Sequence, residues 1–212
     1  MKKIKLATLT VLITQVLPLI AKPELIFHYK NLVIIAGNIC VWLFHPAVSS
    51  KETTENKNND RYSVLLIITM SLVSTIIPVL DWAYFSNPNE SNMLQTVAGI
   101  VFICAGIGLR NYSVHLLGRH FTPTIQLQKD HELITAGPYS IIRHPSYTGA
   151  LLALVGGALW LNSSIGIISA IIAMMIAYTV RISAEERVLK SLFGNVYTEY
   201  QKNTKRIIPF VW

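Results

Sequence analysis

Two short stretches of this 212-residue chain concentrate side chains that could do chemistry. The first, HELITAGPYSIIRHPSYTG at residues 131–149, crowds histidines, an arginine, prolines and tyrosines into one polar segment that leads directly into an apolar run. Pro145 suits the first turn of a helix, where unpaired backbone N–H groups and the positive dipole end favour an anionic group. The simpler alternative is that Arg143 and His144 only mark the start of a helix at a membrane surface.

The second stretch carries an arginine and two glutamates near the end of the last long apolar run. Arg181 and Glu185 are four residues apart, so they share one face of a helix. Such a pair is compatible with a plain salt bridge within the helix. Ionisable groups close to membrane depth are nevertheless candidates for function, because they are costly to place there.

The composition places these groups in a membrane protein. The chain is 52% hydrophobic and 14% charged, with a mean hydropathy of +0.46. Its apolar residues come in blocks of the length that a helix needs to cross a bilayer, about 17–25 residues. We therefore predict an all-α, polytopic transmembrane helix bundle of five to six spans in one compact domain. Six segments can be drawn: 4–21, 25–45, 62–84, 92–117, 146–161 and 164–182.

The basic residues predict an orientation. With the N-terminus in the cytoplasm, all of the 18 Lys and Arg except Lys22 and Lys30 fall on the cytoplasmic side. The net charge of +7 then reflects membrane topology and gives no support to nucleic-acid binding. The basic start of the chain also fits a cleavable signal peptide, but AKPEL is a poor cleavage site and a second span follows at once. Most candidate groups lie in 118–145 and 181–212, at the cytoplasmic face.

Other motifs are interpreted as packing features. Gly149, Ala153 and Gly157 recur at every fourth position and predict a groove where a neighbouring helix approaches closely. The sequence WLNSS predicts a tight hairpin between the last two spans. GIGLRN at residues 106–111 lies within a span and follows no strand, so it gives no support to a dinucleotide-binding fold. Both cysteines fall in apolar runs, which argues against a disulfide framework or a metal site.

The two stretches together resemble a known family. HELITAGPYSIIRHPSYTG, followed after a helical hairpin by R-x-x-x-EE-x-x-L-x-x-x-FG-x-x-Y-x-x-Y and a closing IIPF, resembles the isoprenylcysteine carboxyl methyltransferases. The resemblance covers residues 115–210. It implies an integral-membrane helix bundle in which 1–117 form N-terminal transmembrane helices and 118–212 enclose S-adenosylmethionine in a cytoplasmic pocket. It implies residence in the plasma membrane of a prokaryote or the endoplasmic reticulum of a eukaryote.

The resemblance also implies roles for individual residues. Arg181 would be catalytic and face the carboxylate of the substrate, while Glu185 would hold the ammonium group of the cofactor. No metal is implied. The full set of implied cofactor contacts is Gln126, His131, Glu132, Leu133, Ile134, Tyr139, His144, Pro145, Ser146, Tyr147 and Glu185.

The implied chemistry suits these residue types. A carboxylate is ionised at pH 7, so its methylation needs positioning and removal of water, and no general base. An arginine binds a carboxylate through two parallel hydrogen bonds and does not lose its proton. The substrate would be a lipophilic carboxylate that enters between spans from the surrounding lipid.

Three other functions stay open on sequence alone. A membrane methyltransferase acting on a phospholipid amine or a small thiol would share the cofactor residues but would not need Arg181. A sterol or enone reductase would need basic groups for the 2′-phosphate of NADPH, beyond Arg119, Lys129 and Arg143. A non-enzymatic membrane protein is the last alternative, although polar groups gathered on one face argue against a transporter.

Overall fold

The computed structural model describes residues 2–44, 61–118 and 132–209, which form a bundle of α-helices. Short π and 3₁₀ turns extend α1 and α3, and a 3₁₀ turn precedes α2 and another precedes α5. The helices are α1 (Lys2–Val11, then Leu12–Val16 and Leu17–Leu19), α2 (Tyr29–Phe44, after the turn Pro23–Leu25), α3 (Arg61–Leu80, then Asp81–Phe85), α4 (Met93–Leu117), α5 (Pro145–Trp160, after the turn Gly137–Ser140), α6 (Ser164–Phe193) and α7 (Asn195–Asn203).

Each of the six predicted apolar segments lies on a helix, so the all-α prediction is confirmed. Three helices among the described residues are long and apolar enough to cross a membrane: Tyr62–Phe85, Met93–Leu117 and Ser164–Phe193. The apolar helix Ile4–Leu19 is shorter, and α2 and α5 have 16 residues each. The number of spans therefore stays a prediction.

The last helix is longer than the sequence pattern indicated. We expected a span that ends at residue 182, whereas α6 runs on to Phe193. Its 30 residues are about 45 Å long, which exceeds the roughly 30 Å of a hydrocarbon core. The hydropathy signal ends where charged residues begin, but the helix continues because Glu, Arg, Leu and Lys are strong helix formers. Its last turns carry the charged part of the candidate site.

Small residues allow α4 and α5 to pack with their backbones close together. A Cβ atom added to Gly106 would lie 2.5 Å from the backbone nitrogen of Ala153, and one added to Gly149 would lie 2.6 Å from the nitrogen of Arg110. The predicted groove is therefore correct for two of its three positions. Gly157 is the exception, because it faces a side chain of α2 while Gly156 faces α4. Gly156 is seven residues from Gly149, close to two full turns of a 3.6-residue helix, so the two share a face. Gly157 is eight residues from Gly149 and is therefore rotated away from that face.

This interface makes a direct test of the packing possible. We expect Gly106→Ala to destabilise the protein by about 1–3 kcal/mol, since the added methyl group meets backbone atoms that no rotamer change can move. Gly108→Ala is the matched control on the same helix, because its Cβ would meet nothing within 4 Å. Thermal unfolding in detergent measures both variants. Equal midpoints for the two would contradict the close approach of α4 and α5.

The predicted hairpin between α5 and α6 is confirmed. The turn contains Asn162 with a φ of 57°, and the hydroxyl of Ser163 accepts a hydrogen bond from the backbone nitrogen of Gly166 at 2.8 Å. The same hydroxyl donates to the carboxylate of Asp81 at 2.5 Å. This contact ties the hairpin to the end of α3, at the opposite end of α6 from its charged turns.

The C-terminal segment returns to the start of α5. After α7, the backbone nitrogens of Arg143 and His144 donate to the carbonyl oxygens of Lys205 at 2.7 Å and Arg206 at 2.9 Å. In the reverse direction, the nitrogen of Lys205 donates to the carbonyl oxygen of Ile141 at 3.2 Å. The residues that precede α5 are thus held in place by backbone hydrogen bonds to the segment that follows α7.

Candidate active site

A buried arginine and a glutamate on α6 form the centre of the candidate site. The side chain of Arg181 is 3% exposed, and its Nε donates to Oε1 of Glu185 at 2.7 Å. One terminal nitrogen, Nη1, also donates to the hydroxyl of Ser63 on α3 at 3.1 Å. The spacing of four residues thus forms the ion pair that it predicted, and the guanidinium is held between two long helices.

The first turn of α5 brings a tyrosine and a histidine to the same pair. The hydroxyl of Tyr147 donates to Oε1 of Glu185 at 2.5 Å and accepts from Nε of Arg181 at 3.3 Å. Nδ1 of His144 lies 3.5 Å from Oε2 of Glu185, and the His144 ring stacks on that of Tyr147 with centroids 5.7 Å apart. The two stretches that the sequence singled out therefore meet at one place.

A second carboxylate, that of Glu186, lies beside the first and was not predicted as a site residue from the sequence. Oε1 of Glu186 accepts from Nε of Arg143 at 2.7 Å, while Oε2 accepts from Nε and Nη2 of Arg206 at 3.1 and 3.0 Å. Arg143 also donates to the carbonyl oxygen of Thr204. Nε2 of His144 is 3.5 Å from Glu186 but makes no hydrogen bond with any described residue. The paired glutamates of the motif were the only sequence signal for this network.

Tyr139 is buried and helps to hold the segment before α5. Its hydroxyl donates to the carbonyl oxygen of Ser113 on α4 at 3.3 Å, and its own carbonyl oxygen accepts from the hydroxyl of Tyr200 at 2.6 Å. Burial raises the pKa of Tyr200 to about 12, against the opposing charge of Arg143. Burial also raises the pKa of Tyr139, so both hydroxyls are neutral donors at physiological pH. Tyr139 therefore links the segment before α5 to both α4 and α7.

The other predicted cofactor residues are placed as follows. Pro145 and Ser146 are buried in the first turn of α5. Leu133 and Ile134 are half-buried and Glu132 is exposed, in an irregular segment that precedes the turn at Gly137. Gln126 and His131 lie outside the described residues.

A largely apolar cavity adjoins the charged cluster. It has a volume of about 400 Å³ and is lined by residues of six helices, α1 to α6. Tyr147, Tyr178 and Arg110 are among its lining residues, and Tyr147 connects it to Glu185 and Arg181. Arg110 is the only Lys or Arg of α4 and donates to the carbonyl oxygen of Ser146 at 3.3 Å. Arg110 was not predicted as a site residue from the sequence, although a lone cation in an apolar helix was a usable signal.

The arrangement combines three kinds of binding group within one small volume. Arg181 and Arg110 are cations that can hold a carboxylate. Oε2 of Glu185, which has only Nδ1 of His144 near it among the described residues, can accept from an ammonium group. The cavity behind Tyr147 can take an apolar chain. Such a site suits an amphiphilic anion together with a molecule that carries an ammonium group.

Comparisons with known proteins identify the family to which this chain is similar. A model of the isoprenylcysteine carboxyl methyltransferase (ICMT) family matches residues 98–191. The chain is 36% identical to protein-S-isoprenylcysteine O-methyltransferase B of Arabidopsis thaliana over 155 residues, which cover 70% of this chain and 78% of the relative. It is 28% identical to protein-S-isoprenylcysteine O-methyltransferase of Tribolium castaneum, over 88% of this chain and 63% of the relative. The solved structure of a eukaryotic intramembrane Ras methyltransferase shares the fold, with a TM-score of 0.65, 24% identity, and coverage of 99% of this chain and 75% of that one.

Proposed function

Because the chain belongs to the isoprenylcysteine carboxyl methyltransferase family, we propose that it transfers a methyl group from S-adenosylmethionine to the carboxylate of a lipophilic, prenylcysteine-like substrate. The observation that carries this proposal is the junction at Tyr147, which lines the apolar cavity and bonds to both Glu185 and Arg181. A molecule with an apolar tail and a carboxylate head would place its tail in the cavity and its head at the arginine. The protein is an integral membrane protein, and the tail would enter from the bilayer.

The residues at the start of α5 and on α6 fit the donor. Oε2 of Glu185 makes no hydrogen bond with a residue that the structure describes, and Nδ1 of His144 lies 3.5 Å from it, so this oxygen can accept from an ammonium group. Nε2 of His144 is buried without a hydrogen-bond partner among the described residues, which leaves a polar atom for a bound molecule to satisfy. S-adenosylmethionine would supply an activated methyl group on a positively charged sulfur.

Arg181 is proposed to hold the substrate carboxylate. Its guanidinium has a planar fork of N–H donors that matches the two oxygens of a carboxylate, and its bonds to Glu185 and Ser63 hold this fork between two helices. The ion pair with Glu185 fixes its orientation before substrate arrives, which lowers the entropy that must be lost on binding. The carboxylate is already ionised, so none of these residues needs to remove a proton.

We also propose the orientation that the basic residues predicted, with both termini and the charged cluster at the cytoplasmic face. The charged cluster then lies on the side from which soluble S-adenosylmethionine approaches, while the cavity lies at membrane depth. The acceptor carboxylate and the methyl-bearing sulfur of the donor would approach each other from opposite sides of Tyr147. This separation explains why a methyltransferase for a lipid-linked acid would be embedded in a bilayer.

The first experiment tests the donor and the acceptor separately. The detergent-purified protein is titrated calorimetrically with S-adenosylhomocysteine and, in a second titration, with NADPH. Methylation of a farnesylcysteine carboxylic acid by S-adenosylmethionine is then followed. We expect binding of S-adenosylhomocysteine and formation of the methyl ester. Binding of NADPH alone would identify a reductase, and donor binding without ester formation would indicate another class of methyl acceptor.

Glu185 provides a variant that tests the donor half of the proposal. We expect Glu185→Gln to weaken binding of S-adenosylhomocysteine by about 10–100-fold, because a hydrogen bond to a charged group contributes about 1.5–3 kcal/mol. Glu199→Gln is the control, since Glu199 is exposed and pairs only with Lys202 at the surface. Calorimetric titration gives both dissociation constants. An unchanged affinity in the Glu185 variant would mean that the ammonium group is held elsewhere.

A further inference from the structure

Tyr178 lies where the charged cluster meets the apolar cavity, and its hydroxyl has no assigned role. The residue is 1% exposed and lines the cavity, and its ring packs on that of Tyr147 with centroids 4.9 Å apart. Its hydroxyl is buried and makes no hydrogen bond with any residue that the structure describes. The hydroxyl of Tyr147, by contrast, both donates to Glu185 and accepts from Arg181.

An unpaired tyrosine hydroxyl at this buried position lowers the stability of the protein. A buried donor without an acceptor destabilises a protein by about 1–3 kcal/mol. Phenylalanine would fill the same space against Tyr147 without that cost. A tyrosine that lines a ligand-sized cavity therefore points to an acceptor on the bound molecule.

The position of Tyr178 relative to Arg181 defines where that acceptor lies. The two residues are three positions apart on α6, which is about 4.5 Å along the helix axis. Tyr178 lies nearer than Arg181 to the cavity and to the hairpin between α5 and α6. A substrate whose carboxylate is bound at Arg181 therefore passes Tyr178 before its apolar tail begins. In an S-prenylated cysteine acid, three bonds separate the carboxyl carbon from the thioether sulfur, a span of roughly 4 Å.

We propose that the Tyr178 hydroxyl donates a hydrogen bond to the heteroatom that joins the carboxylate head of the substrate to its apolar tail. This inference rests on the proposed function and makes Tyr178 a specificity-determining residue. A thioether sulfur is a weak acceptor and an ether oxygen is a stronger one, whereas a methylene group accepts nothing. The site therefore selects heteroatom-linked amphiphiles over fatty acids of the same length and shape.

The test uses Tyr178→Phe and three acceptors that differ only in the linking atom: sulfur, oxygen or a methylene carbon. We expect the variant to lower kcat/KM by about 2–10-fold for the thioether and ether acids, which corresponds to a net hydrogen bond of about 0.5–1.5 kcal/mol. Methylation of the methylene acid is expected to change less than about twofold. Tyr197→Phe is the matched control. Tyr197 is as buried as Tyr178, and its hydroxyl makes no hydrogen bond with a described residue, but it lies on α7, away from the cavity.

The outcomes separate this inference from the proposed function. An equal loss for all three acids would mean that Tyr178 only packs against Tyr147, and no change for any acid would mean that its hydroxyl does not touch the substrate. Either result overturns the inference while leaving the methyltransferase proposal intact. If the wild-type protein methylates none of the three acids, the proposed function is wrong and the inference falls with it.

Discussion

Replacing Arg181 with glutamine is expected to lower kcat/KM for methylation of a prenylcysteine acid by at least about 100-fold, a loss of about 2.7 kcal/mol of transition-state stabilisation. Glutamine keeps a polar side chain in the buried space but removes the charge and the planar fork that bind a carboxylate. Arg181→Lys keeps the charge without the fork, so we expect it to recover only part of the activity. Initial rates at saturating S-adenosylmethionine, measured against acceptor concentration, give kcat and KM for each variant.

Binding of S-adenosylhomocysteine is the internal check on the Arg181 variants. Its dissociation constant should stay within a few-fold of the wild-type value, since Glu185 keeps its bond to Tyr147 when Arg181 is changed. Arg187→Gln on the same helix is the matched control, because Arg187 is exposed and should leave turnover unchanged. Full turnover in Arg181→Gln would rule out the anchor role and favour an amine or thiol as the acceptor.

The sequence was sufficient for features that depend on local periodicity. Apolar blocks predicted the helices, and Pro145 predicted the start of α5 at the residue where it begins. The spacing of Arg181 and Glu185 predicted their ion pair because a helix places residues four apart on one face. The motif that contains His144 and Tyr147 was visible in the sequence, but only the fold brings these two residues to Glu185.

Features that depend on long-range packing could not be obtained in this way. Glu186 contacts Arg143, 43 positions earlier, and Arg206, 20 positions later, and no periodic pattern connects these three residues. The pairing of Ile142 with Lys205 likewise depends on how α7 turns back towards α5. Gly156 faces α4 where the sequence pattern had predicted Gly157. Both are glycines, so side-chain size alone could not decide which of them packs against α4.

Glu186→Ala is expected to destabilise the protein by about 3–5 kcal/mol. Removing this carboxylate leaves Arg143, whose side chain is 9% exposed, without its counter-charge in a largely buried position. Arg206 is 30% exposed and can turn to water, so it adds little to the loss. The hydrogen bonds of Arg143 to the carbonyl oxygens of Gln201 and Thr204 cannot replace a negative charge.

The variant should also loosen the C-terminal segment from the start of α5. Glu186 bonds to Arg143, just before α5, and to Arg206 in the C-terminal segment, so it holds the two together. Thermal unfolding in detergent measures the loss of stability, and limited proteolysis near residue 204 measures the loosening. Glu199→Ala, which breaks an exposed pair with Lys202, should shift neither. Glu186→Ala combined with Arg143→Met removes both buried charges, so it should be more stable than Glu186→Ala alone. If the double variant is no more stable than the single one, the uncompensated charge of Arg143 is not the source of the loss.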